Sequence, residues 1–95
     1  MFSFTVRMTF DPADRSAIEE ILCPLTAATR KEPGCVSYIP HFVEGERCTV
    51  LIYEQYLDEA ALEHHRGSPH FHQYAIGGLY QKMKGRQMEN LSAVC

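Results

Sequence analysis

The chain has 95 residues, 45 % of them hydrophobic and 22 % charged, and a net charge of −3. A length of this order allows one domain, residues 1–95, around one modest core. Its nine Lys and Arg residues are scattered, which argues against nucleic acid as a partner, and no apolar run approaches the roughly 20 residues that cross a bilayer, so no membrane partner is expected either.

Residues 2–10 alternate, with Phe2, Phe4, Val6, Met8 and Phe10 on one face and Ser3, Thr5, Arg7 and Thr9 on the other. That pattern predicts a half-buried strand. In DPAD, Asp11 can cap a helix, Pro12 suits its first position and Asp14 suits the positive end of its dipole. Ala17, Ile18, Ile21, Leu22, Leu25 and Ala28 continue at helical spacing, with a kink or a broken hydrogen bond expected at Pro24, and KEPG (31–34) ends the helix. CVSYIPHFVE (35–44) reads as a strand that Pro40 confines to an edge or a bulge. A turn at Gly45 leads into a third strand over 47–56. Asp58 caps a short helix through Arg66, and Ser68-Pro69 opens a second, to about Met83. RQMENLSAV (86–94) is a weaker last strand.

The order β-α-β-β-α-α-β predicts an α+β fold, the ferredoxin-like split βαβ with an antiparallel sheet. In the third strand Cys48, Val50, Ile52 and Tyr56 share one face, while Leu51 and Tyr53 lie on the other with Thr49 and Gln55. Helices cover one side of such a sheet, so the second apolar face predicts a homodimer through sheet faces. A monomer that tolerates a few exposed apolar side chains is the alternative. MFSFTVRMTF lacks the continuous apolar run of a signal peptide. Cys23, Cys35, Cys48 and Cys95 form no CxxC pair, so four reduced thiols and a cytoplasmic location are expected.

On a helical wheel for 59–66, His65 falls in the apolar arc with Ala61 and Leu62, while Glu59, Glu63 and Arg66 face water and His64 lies at the edge. His65 is then either a core histidine with one polar partner or a general base, imidazole being the side chain that titrates near neutrality. Glu54 shares a strand face with Val50, Ile52 and Tyr56. An inward carboxylate needs a partner or a raised pKa, and His65 or a backbone amide is the nearest candidate. His41, on the second strand, is a further candidate, more simply placed facing water. In the last helix Phe71, Ala75, Leu79 and Met83 form the arc, with His72 inside it and His70 on the other side. His70 and His72 diverge on a helix, HExxH is absent and the cysteines lack ligand spacing, so no metal is expected. With no phosphate cradle in the sequence, no nucleotide cofactor is expected either.

The segments KEPGCVSY (31–38), YEQYLDEAALEHH (53–65) and SPHF (68–71) resemble the antibiotic biosynthesis monooxygenase-like family. Glu32, Gly34, Cys35 and Tyr38 match the first part of its pattern, Glu54, Asp58, Ala61, Leu62 and His65 the second, and Ser68, Pro69 and His70 the third. The resemblance covers essentially the whole chain. It departs at Tyr56, where many relatives carry Trp. It implies a dimeric ferredoxin-like protein, and for the reaction a cofactor-independent monooxygenase that oxidises an electron-rich quinol, phenol or anthrone with dioxygen. His65 and Glu54 are then the expected catalytic pair, and Tyr56, His70 and Tyr74 the expected substrate contacts. The family also holds an isomerase, so a tautomerase using the same pair, or a non-catalytic small-ligand-binding dimer, are the other expectations. A phosphorylated substrate points to Arg7 or Arg47 among the strand residues.

Overall fold

Phe4, Val6 and Met8 are buried along one side of β1 (Phe2–Thr9), the result of an apolar residue at every second position. The computed structural model describes residues 1–95. Asp11 accepts a hydrogen bond from the Ala13 amide and starts a short turn over Pro12–Asp14. Helix α1 (Arg15–Arg30) follows and runs on through Pro24, burying Ile18, Leu22 and Leu25. Strands β2 (Cys35–Phe42) and β3 (Thr49–Tyr56) form a hairpin whose turn contains Gly45 at φ +83°, a conformation that favours glycine. Helix α2 (Glu59–Arg66) is capped by Asp58, which accepts from the Ala61 amide.

The next helix, α3, differs from the α-helix the sequence predicts. It is π-coiled over Phe71–Leu79, with α-helical turns at Pro69 and His70 before it and over Tyr80–Lys82 after it. Widening the turn shifts which residues share a face, so Ala75 and Leu79 stay buried while His72, expected in the apolar arc, is exposed. Gly78 lets this helix approach α1: a Cβ there would lie 3.3 Å from two carbons of Ile21. Strand β4 (Gly85–Leu91) ends the sheet.

The sheet order is β2-β3-β1-β4, with every neighbouring pair antiparallel, which is the ferredoxin-like arrangement. Pro40 lies on the edge strand β2, where a missing N–H is tolerated, and the β2–β3 register shifts between Cys35 and Ser37. The core fills the space between sheet and helices, with Tyr56, Val50 and Ile18 fully buried. The helices leave β4 uncovered. Arg86, Met88 and Asn90 pair with Met8, Val6 and Phe4, so they lie on the helix side of the sheet, yet all three are exposed. A groove therefore opens between β4 and α2. All four cysteines are free, and no helix is long and apolar enough to cross a membrane.

Candidate functional site

Four elements meet at His65. Helix α2 turns it inward one turn after Ala61, and its ring packs against Tyr56 and Phe71 at centroid distances of 5.1 and 5.2 Å, the latter edge-on. It is 3 % exposed. Ser68 fixes the bend that follows. Its hydroxyl donates to the His65 carbonyl at 2.6 Å and accepts from the Phe71 amide at 3.2 Å.

The partner of His65 is Glu32, a residue that sequence reasoning kept out of the site. Its Oε2 lies 2.9 Å from His65 Nδ1 and also accepts from His70 Nε2. A carboxylate offers only acceptors, so each imidazole donates and the proton of His65 is held at Nδ1. Nε2 is then the free lone pair, and it faces Glu54 Oε1 across 3.8 Å. The sequence carried a signal for Glu32: an acidic residue just past the end of α1 stands at the negative pole of the helix dipole, where a carboxylate is disfavoured unless something else holds it. The Glu32 amide donates to the Thr29 carbonyl, and the two imidazoles are what hold its carboxylate there.

Glu54 points inward, as its place in the alternation predicts, but its hydrogen bond comes from Tyr56, whose hydroxyl donates to Oε1 at 2.7 Å. Burial raises the Glu54 pKa from 4.5 to about 7; the Tyr56 hydrogen bond and the Arg66 and Arg86 charges pull the other way. Burial and the neighbouring Glu54 push the Tyr56 hydroxyl far above its usual range, so it remains a donor. Burial lowers the His65 pKa against the hydrogen bond and charge of Glu32, which favours the neutral base.

Glu54, His65, Phe71 and Arg66 line a small pocket of about 30 Å³, room for one polar group or a water. A second pocket of about 340 Å³ adjoins it, with Phe4, Leu62 and Arg66 as common walls. This larger space is within the range that takes a small organic ligand. Of the other predicted contacts, His70 turns onto Glu32 rather than away from the site, from the helical turn just ahead of the π-coiled segment. The Tyr56 hydroxyl is engaged by Glu54, and Tyr74 is half-buried against the core outside both pockets. His41 is exposed, with Nδ1 3.2 Å from the Leu51 carbonyl, and His64 is exposed.

Glu32 Oε2, His65 Nδ1 and His70 Nε2 lie within 4.8 Å of one another, a donor set of the kind that suits a transition ion. Here those atoms are joined to each other by hydrogen bonds, and a cation would have to displace both shared protons. The arrangement as it stands is an oriented base beside a carboxyl that holds its proton near neutral pH.

A family model described as antibiotic biosynthesis monooxygenase matches residues 1–75. Rv0793 of Mycobacterium tuberculosis is 36 % identical over 63 residues, which make up 66 % of this chain and 61 % of that protein. The match thus spans less than two thirds of that relative's own length. In structure, Rv0793 superposes with a TM-score of 0.86 at 26 % identity, covering 99 % of this chain and 95 % of the solved one. PA3566 of Pseudomonas aeruginosa gives 0.88 at 26 % identity over 99 % and 94 %. A crystal structure of an antibiotic biosynthesis monooxygenase gives 0.92 at 20 % identity over the full length of both chains, a likeness of fold.

Proposed function

Because the chain belongs to the antibiotic biosynthesis monooxygenase family, we propose that it is a cofactor-independent monooxygenase that oxidises an electron-rich quinol, phenol or anthrone with dioxygen. The observation that carries this reading is the orientation of His65, whose Nδ1–H is held by buried Glu32 while Nε2 faces the pocket. Such a base can take the proton of a bound hydroxyl or of an anthrone methylene. The resulting anion is electron-rich enough to pass an electron to dioxygen without flavin or metal. For an anthrone the methylene becomes a carbonyl, one oxygen atom entering the product and the other leaving as water. Glu54, whose pKa burial raises to about 7, can in its protonated form return a proton to an oxygen anion formed beside it, and Tyr56 fixes its orientation. Glu32 is a positioning residue, since it acts through His65.

The Glu54–His65 separation of 3.8 Å also suits a second reading, a tautomerase in which the same two groups pass a proton between substrate atoms without oxygen. We extend the proposal to a homodimer formed through the sheet face that the helices leave open, where Leu51 and Tyr53 are only partly buried and Ile39 is exposed. Oxygen uptake by metal-free protein with a panel of quinols and anthrones tests the first reading, with His65→Ala measured beside it. Catalysed uptake that collapses in a folded variant supports it. Absence of uptake together with proton exchange under nitrogen favours the second.

A further inference from the structure

We propose that Arg66 and Arg86 form an anion-binding pair at the mouth of the His65 pocket, so that the substrate is a hydroxyaromatic compound carrying an anionic oxygen substituent near its reacting hydroxyl. The inference rests on the oxygenase reading for the hydroxyl, while the anion preference rests on the placement and charge of the two arginines. Both arginines line the small pocket with Glu54 and His65, and Arg66 is also a wall of the larger one.

Neither guanidinium forms an ion pair, and these are the two unpaired cations that line the small pocket. Arg86 occupies an inward-facing register position, opposite Met8, in a strand that no helix covers. It is held in place from the side: its guanidinium lies 5.4 Å from the Tyr80 ring centroid and donates to Met88 Sδ at 3.0 Å. The rest of its donor fork is left for a ligand.

Charge counting gives the pocket its preference. Among the residues that line the small pocket, two guanidinium groups face a single carboxyl, Glu54, while the Glu32 carboxylate lies on the far side of the His65 ring and is engaged by the two imidazoles. His65 is neutral as a base. An anionic group at the junction of the two pockets balances the excess with charge-assisted hydrogen bonds. The aromatic body then lies in the larger pocket against Phe4, Leu62 and Leu91, and the small pocket admits only the reacting hydroxyl. Arg7 and Arg47, the strand arginines that the sequence suggests for such a role, line neither of these pockets.

The test is equilibrium binding, read by ligand fluorescence under nitrogen, of 1-hydroxy-2-naphthoate, 1-naphthyl phosphate and uncharged 1-naphthol. Native protein is compared with Arg66→Gln and Arg86→Gln, each checked for an unchanged melting temperature. The expected result is at least tenfold tighter binding of one anionic probe than of naphthol, a preference that shrinks at least tenfold in each variant and weakens as NaCl is raised. The two anionic probes decide between carboxylate and phosphate. Equal affinity for all three probes, binding of none, or a preference that survives in both variants overturns the proposal. Anion-selective binding without oxygen uptake would overturn the oxygenase reading and leave the arginine pair standing. Uptake with naphthols that is the same in native protein and both variants would do the reverse.

Discussion

Glu54→Gln isolates the cost of burying the carboxyl at the centre of the site. In the folded protein burial lifts this group from 4.5 to about 7. Between those values the unfolded chain has released a proton that the folded protein still holds. The folded state therefore binds more protons, and stability falls as pH rises through this window. At about 1.4 kcal/mol per pH unit the loss reaches about 3 kcal/mol and is complete once pH exceeds the folded value. Glutamine has the shape of the protonated acid, and its carbonyl can still accept from Tyr56, but it does not titrate. Urea unfolding from pH 4.5 to 8.5 should show native and variant equally stable at the acid end. The variant should gain about 3 kcal/mol over the native protein by the alkaline end. His65 works in the opposite direction: its folded pKa is depressed, so its contribution is present above 6.5 and lost as pH falls. Being common to both proteins, it largely cancels in their difference. A stability difference that is flat with pH, or that moves in favour of the native protein as pH rises, would refute the argument that Glu54 is buried with its proton.

Gly34→Ala places a Cβ 2.2 Å from the Ala61 Cβ and 3.3 Å from its Cα, forcing α2 off the start of β2. A loss of about 1–3 kcal/mol is expected, with partial recovery on adding Ala61→Gly, measured by thermal unfolding of the two single variants and the double; a neutral Gly34→Ala would contradict the packing. The acid limb of kcat/KM should lie below pH 6.5, because burial makes the His65 imidazolium costly. In Glu32→Gln that limb should move lower still, since the Glu32 hydrogen bond and charge are what hold the His65 pKa up; kcat should fall at least about tenfold with KM little changed, as for a residue that orients the base. A Glu32→Gln protein with an unmoved limb and full kcat would remove Glu32 from the mechanism. Tyr53→Glu, on the open sheet face, should convert a dimer to a monomer by light scattering while leaving the thermal transition of the fold recognisable, and an unchanged mass would place any assembly elsewhere.

What the sequence discloses here is what local periodicity controls. The alternation of Phe4, Val6 and Met8 and the caps at Asp11 and Asp58 are decided within a few residues, and each is found where that pattern puts it. The inward direction of Glu54 follows from a period of two and that of His65 from a period of 3.6, so both were legible before their partners were. The partners were not. Glu32 meets His65 across 33 positions, after α1, the β2–β3 hairpin and α2 have all been placed. No local rule makes that join, although an acid at the negative end of α1 hints that one exists. The π-coil of α3 was illegible for a different reason: it changes the angular step between residues, and a wheel drawn at 100° then sends His72 inward when it lies in water. Arg86 was hidden because periodicity reports which face of β4 a residue takes, and not that the helices stop short of covering that strand.

Deprotonation by His65 can be separated from the oxygen chemistry that follows it. An anthrone is mixed with the protein in a stopped-flow instrument under nitrogen, and the long-wavelength absorbance of its enolate is followed before oxygen is admitted. Native protein is expected to form the bound anion in the absence of oxygen, His65→Ala is not, and the anion should decay to the carbonyl product once oxygen enters. Product formed from oxygen without a preceding His65-dependent anion would contradict a role for His65 as the base.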